Sequence, residues 1–143
     1  MLTIDASVFV SSLRAMEFNA PASQAFLNHL RQERAVVVCP ALALTETVAA
    51  IALTSRDTAS ALEAGITLDA LAGLSFIPLD SVLAREAAAI AAAHFIRGAD
   101  AVYIAVALRH NTSLITWDNE MLQRGAAVVP TLTPADWLAS QAG

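Results

Sequence analysis

Ala35-Val36-Val37-Val38-Cys39-Pro40-Ala41-Leu42-Ala43-Leu44-Thr45-Glu46 is the stretch that decides the fold class. Ala35 to Cys39 is an apolar, β-branched run without alternation, which suits a central strand buried on both faces of a parallel sheet. Pro40 stands where a helix can begin, because the first turn does not need its missing N–H. Ala41 to Thr54 continues that helix.

Outward from this unit the same alternation repeats. Strands are expected over Leu2 to Asp5, Ser75 to Leu79, Ser113 to Thr116 and Ala127 to Val129. Helices are expected over Ser7 to Glu17, Pro21 to Arg34, Asp57 to Ala72, Asp80 to Phe95, Ala99 to His110 and Asn119 to Arg124, with Thr133 to Ser140 a terminal turn or helix. Asn19 to Pro21 separates the first two helices, and Gly98 breaks the chain between Phe95 and the next helix. Strands alternating with helices imply an α/β fold with a parallel sheet covered on both faces. Ligands of such folds bind beyond the carboxyl ends of the strands, near a topological switch point. No internal repeat, linker or low-complexity tail interrupts the pattern, so a single domain over residues 1 to 143 is expected.

Composition narrows the class. Hydrophobic residues make up 57% of the 143 positions, and the mean hydropathy is +0.58. No charge-free run reaches the roughly 18 residues a membrane span requires, and the best candidate, Ala35 to Ser55, is broken by Pro40 and Glu46. Much of the apolar count is alanine, a small helix former. The N-terminus lacks the basic region and apolar core of a signal peptide. A soluble cytoplasmic protein without a membrane partner is expected. The single cysteine, Cys39, excludes a disulfide framework or cysteine zinc cluster within one chain. No basic neighbour in sequence lowers its pKa, so a structural thiol is expected. A net charge of −5 and a pI near 4.9 argue against a broad basic surface for nucleic acid, but not against a local one. All eight basic residues are arginine.

Four acids are out of place in this apolar chain. Asp5 closes Met-Leu-Thr-Ile, and Asp118 closes Ser-Leu-Ile-Thr-Trp. Glu46 is the only charge between Arg34 and Arg56, and Asp100 the only charge between Arg97 and Arg109. A carboxylate in an apolar setting is costly unless it is paired, hydrogen-bonded or bound to a cation. Each also has a plainer explanation. Asp5 and Asp118 could be helix N-caps, although Ser7, Asn119 or Glu120 could cap instead. Asp100 near a helix start would be favoured by the helix dipole. Glu46 could face solvent, yet Leu42, Ala49, Ala50 and Leu53 place it on an apolar face, with Thr45 and Thr47 its only polar neighbours. Thr116 and Asp118 flank Trp117 and would share a strand face if extended geometry persists.

Taken together, strand ends already gather Asp5 and Asp118, and Asp100 begins the helix before the strand that leads to Asp118. Carboxylates this close repel, and without a cation some would stay protonated. An all-oxygen set suits Mg²⁺ or Mn²⁺. Zinc would want histidine or cysteine, and His29, His94 and His110 show no ligand spacing.

Ile4-Asp5-Ala6-Ser7-Val8-Phe9-Val10, Leu44-Thr45-Glu46, the stretch from Gly98 to Leu108 and Leu114-Ile115-Thr116-Trp117-Asp118 together resemble the PIN-domain ribonucleases, and among them the VapC-type toxins of toxin–antitoxin pairs. The resemblance spans nearly the whole chain, in order. It implies a three-layer α/β sandwich around a parallel sheet, and Mg²⁺ or Mn²⁺ bound by Asp5, Glu46, Asp100 and Asp118. Ser7 and Thr116 would be polar supports. It further implies an RNA substrate and a cognate antitoxin that covers the mouth of the site. Ala6 departs from the threonine that relatives often carry. The absence of lysine leaves RNA contacts to arginine.

The expected chemistry is hydrolysis of RNA phosphodiester bonds, with the cation activating water and stabilising charge on the phosphoryl oxygens. Asp5, Asp100 and Asp118 are the expected ligands. Glu46 is either a fourth ligand or the group that orients water. Arg14 and Arg97 lie close in sequence to site elements and are candidates for phosphate contact, against the plainer reading as surface arginines. A phosphoacceptor or phosphatase of receiver or haloacid-dehalogenase type would require a lysine, and no Gly-x-x-x-x-Gly-Lys loop is present. A PIN-like metal-binding interaction module without catalysis is the alternative. The apolar content fits an exposed interface for an antitoxin or a homodimer, with Val8 to Phe18 and Thr58 to Leu74 as candidate surfaces; a plain core face would explain those stretches as well.

Overall fold

The computed structural model covers residues 1–143. Its strands are β1 (Leu2–Ile4), β2 (Val37–Pro40), β3 (Leu74–Ile77), β4 (Ser113–Ile115) and β5 (Thr131–Leu132). Its helices are α1 (Ala6–Leu13), α2 (Ala20–Gln32), α3 (Leu42–Ser55), α4 (Thr58–Asp69), α5 (Ser81–His94), α6 (Gly98–Arg109), α7 (Asn119–Arg124) and α8 (Pro134–Gln141). The strands form one sheet in the order β3-β2-β1-β4-β5, and every pairing is parallel. This is the expected α/β architecture.

Val37 and Val38 of the valine run form β2 with Cys39 and Pro40, buried along its length, while Val36 precedes the strand and is exposed. The Cys39 thiol is inert packing: Sγ donates to the Ile4 carbonyl at 3.2 Å, and burial pushes its pKa up to about 12. Pro40 ends the strand rather than opening the helix, which starts at Leu42. The chain builds β1, β2 and β3 outward in one direction, then returns through α5 and α6 to place β4 on the other side of β1. Right-handed crossovers put helices of these two halves on opposite faces. The reversal between β1 and β4 is therefore the switch point. Their register pairs Leu2 with Ser113, Thr3 with Leu114 and Ile4 with Ile115. Asp5 N–H continues the ladder to the Ile115 carbonyl at 2.9 Å, so the next step sets Asp5 beside Thr116.

α6 lies across β1, β2 and β4, and every residue from Ala101 to Ala107 is buried. That accounts for a helix apolar all round. No single helix is long and apolar enough to cross a membrane. α5 and α6 pass that test together only across a 112° bend, and the sheet covers the second of them.

Three further local expectations are corrected. Ala127 to Val129 is not a strand: Gly125–Ala127 is a 3-10 turn, and the Val128 and Val129 N–H groups both bond back to the Gly125 carbonyl. The ladder resumes only after Pro130, whose carbonyl accepts from Leu114 N–H at 2.8 Å. Gly98 does not break the chain; it is the first residue of α6, with open space where a Cβ would stand. Phe95 makes the break, ending α5 in the left-handed region at φ 55. Finally, α1 stops at Leu13 rather than Glu17, and Arg14 and Glu17 form a surface ion pair in the turn that follows. Gly73 is the glycine that backbone geometry requires. Its φ is +83, and a Cβ there would lie 2.4 Å from the Ala35 carbonyl oxygen.

Candidate active site

Beyond the carboxyl ends of β1 and β4 lies a cleft of about 580 Å³, lined by Asp5, Glu46, Asp100 and Asp118 together with Ser7, Arg97 and Trp117. All four singled-out acids are thus brought to one place. The fold supplies a reason. Asp5 and Asp118 occupy the N-cap positions of α1 and α7, and Asp100 sits in the first turn of α6. Helix N-termini carry partial positive charge and favour carboxylates.

Asp5 is the buried floor. Its side chain does not cap α1. Instead Oδ2 accepts from Ser7 Oγ at 2.5 Å and from Thr116 Oγ1 at 2.8 Å. Each hydroxyl in turn accepts a backbone N–H, from Trp117 at 3.1 Å and Asp118 at 3.0 Å. Those bonds fix the hydroxyl orientation, so both protons point at Asp5. β4 ends at Ile115, yet Thr116 N–H still bonds the Leu132 carbonyl at 3.0 Å, so the ladder places Thr116, and the bond from Asp118 N–H to Thr116 Oγ1 then holds Asp118 at the site. Burial raises the Asp5 pKa against the opposing Ser7 and Thr116 hydrogen bonds, and the Asp118 charge raises it further.

Glu46 is half-buried on α3. The buried stripe of that helix is Ala43, Thr47 and Ile51, so Glu46 stands at the edge of the apolar face and lines the cleft. Tyr103 Oη donates to its Oε1 at 2.6 Å. Burial raises the Glu46 pKa, and Asp5 and Asp100 add to the rise. Tyr103 is fully buried, and burial beside Asp5 and Glu46 drives its pKa upward, so it stays a donor. Tyr103 is the site residue that sequence reasoning missed. The available signal was a phenol inside a buried helix, one turn from Asp100, whose hydroxyl needed a partner.

The outer wall is held by charge. Arg97 Nε donates to Asp100 Oδ2 and its Nη2 donates to Asp118 Oδ2, each at 2.8 Å, with Glu120 at 3.6 Å from Nε. Burial raises the Asp100 pKa, opposed by Arg97 and increased by Asp118 and Asp5. Asp118 also caps α7 through Oδ1, which accepts from Met121 N–H at 2.9 Å. Capping and site roles thus fall to different oxygens of one carboxylate.

The donor set is entirely oxygen, and no histidine or cysteine lines the cleft. That chemistry fits a hard divalent cation and not zinc. As the side chains stand, no three of these acids converge closely enough to hold a metal ion. Arg97 lies between two of them instead. Of the two arginines singled out by sequence, Arg97 reaches the cleft. Arg14 lines a separate depression with Leu13, Met16 and Ile51. On the candidate partner surfaces, Met16, Phe18, Leu62 and Ile66 are exposed, while Val8, Phe9, Ala61, Ala64 and Leu68 belong to the core.

A five-stranded parallel sheet with acids gathered at its switch point defines a class, and the PIN domain family matches residues 2–127. The chain belongs to that family, whose members are typically nucleases and generally metal-dependent. No curated protein matches the chain. Solved structures share the fold. One is a toxin–antitoxin complex from Klebsiella pneumoniae, 16% identical over 94% of this chain and 98% of that one, with TM-score 0.63. Another is PAE2754 from Pyrobaculum aerophilum, 19% identical over 98% and 93%, TM-score 0.68. A third is FitAcB from Neisseria gonorrhoeae, 22% identical over 94% and 98%, TM-score 0.67.

Proposed function

We propose that this chain, read as one domain over residues 1 to 143, is a Mg²⁺- or Mn²⁺-dependent endoribonuclease toxin that acts in the cytoplasm. The observation that carries this reading is the meeting of Asp5, Glu46, Asp100 and Asp118 in one cleft at the switch point of a PIN fold. Asp5, Asp100 and Asp118 would hold the cation, which when bound supplies an activated water and stabilises charge on the phosphoryl oxygens. Ser7 and Thr116 keep the Asp5 carboxylate in one orientation. Tyr103 does the same for Glu46, which is a further ligand or orients water.

A cognate antitoxin is the proposed partner. The Klebsiella relative is a toxin–antitoxin complex, and the exposed Met16, Phe18, Leu62 and Ile66 offer apolar contact to an antitoxin or to a second copy of the chain.

Asp5→Ala and Asp100→Ala, made separately, test the reading. Each is expected to lose at least about 100-fold in Mg²⁺-dependent RNA cleavage, because charge stabilisation by the cation is worth several kcal/mol, and to lose toxicity in cells. Full activity in both variants would refute the assignment. The alternative, a PIN-like metal-binding interaction module without catalysis, draws on one observation: no three of the acids converge as the side chains stand, and Arg97 pairs with both Asp100 and Asp118. Metal binding with no cleavage of any RNA pool would favour that alternative.

A further inference from the structure

We infer that Arg97 is a built-in counter-ion of the cation site, seated between Asp100 and Asp118 and displaced when a divalent metal enters, so that it sets the metal affinity from within the chain. The inference rests on the metal-dependent reading above.

The disposition of individual oxygens leads to it. Asp118 Oδ1 is committed to the Met121 N–H as the cap of α7. That leaves Oδ2 as its outward donor, and Arg97 Nη2 holds Oδ2. Asp5 Oδ2 is likewise committed, to Ser7 and Thr116. Asp100 gives Oδ2 to Arg97 Nε. A cation that used Asp118 would need the oxygen that the guanidinium now takes, and beside Asp100, whose Oδ1 has no hydrogen-bond partner, it would stand against the charge of the same guanidinium.

The fork of the guanidinium suits this bridging, because two N–H groups on one rigid plane reach two carboxylates. The arrangement is also easily undone. The Arg97 side chain is 63% exposed, so the guanidinium can move into water without leaving a charge buried. Glu120 provides a second seat outside the two acids: its Oε2 lies 3.6 Å from Arg97 Nε, while its Oε1 is engaged by Arg124 at 3.0 Å. With no side chain on Gly98, nothing at the next position obstructs the movement.

Calorimetric titration with Mn²⁺ alone, on the full chain and on Arg97→Gln and Arg97→Lys, tests the inference. Arg97→Gln is expected to bind Mn²⁺ about tenfold more tightly than the wild type, the order expected when two exposed ion pairs no longer have to be broken. Arg97→Lys should fall between them, since an ammonium is a point charge that cannot bridge both acids in the same way. Added salt should narrow the difference between wild type and Arg97→Gln, because exposed pairs are screened. Equal or weaker binding by Arg97→Gln would overturn the counter-ion role and leave the metal site standing. Binding by none of the three would overturn the metal reading itself, and this inference with it.

Discussion

The inner and outer halves of the cleft gather carboxylates by different chemistry. On the inner side Asp5 and Glu46 are oriented by neutral hydroxyls, from Ser7, Thr116 and Tyr103. On the outer side Asp100 and Asp118 are drawn together by one cation, Arg97, itself mostly in water. Hydroxyl donors in a buried setting are costly to remove, because the acceptor is left stranded. Exposed ion pairs are exchangeable and individually worth little. The inner half is therefore a fixed floor, and the outer half a wall that can change its counter-ion.

The largest expected effect that sharpens this contrast is on the floor. Thr116→Val keeps the shape but removes the donor to Asp5 Oδ2 and the acceptor for Asp118 N–H. It should cost about 1–3 kcal/mol in urea unfolding. A loss within experimental error would show that the floor is not held as described.

A smaller effect concerns pH. Asp5, Glu46 and Asp100 have pKa values raised above the ordinary 3.8, 4.5 and 3.8, in each case chiefly by burial. Above those ordinary values the folded chain holds more protons at these groups than the unfolded chain does. Their contribution is complete below the ordinary values and is lost as pH rises through the folded ones. In chelator-treated protein the stability of the wild type relative to Asp5→Asn should increase as pH falls from neutral toward the ordinary carboxylate range. A difference that stays flat, or runs the other way, would contradict the burial assigned to Asp5.

The smallest effect belongs to the rim. Glu120→Gln disturbs the exposed pairs with Arg124 and Arg97 and should change stability by no more than about 0.5 kcal/mol. A loss several times larger in thermal or urea unfolding would mean that the outer wall is not loose, and the contrast between the halves would fail.

Much of this was legible in the chain because it rests on local rules. The valine run before Pro40 reads as a buried strand from its composition. The apolar stretch after Asp100 reads as a buried helix, and α6 is one. Where local rules competed, reading was poorer. Val128 and Val129 have strand composition, but the Gly125 carbonyl captures both of their N–H groups. Gly98 looked like a breaker, whereas the left-handed residue is Phe95. Asp118 presented capping and site roles as alternatives, and two oxygens allow both.

The amino-acid sequence by itself determined the alternation of strand and helix, the parallel sheet that follows from it, and the four acids that sit uneasily among apolar neighbours. These depend on backbone preference and desolvation, which act over a few residues. Only the tertiary structure decided which groups answer the acids. Tyr103 reaches Glu46 across 57 positions, Thr116 reaches Asp5 across 111, and Arg97 reaches Asp118 across 21. Hydrogen bonds and ion pairs act over a few ångströms of space, and the order of strands around the switch point sets which distant residues come that close.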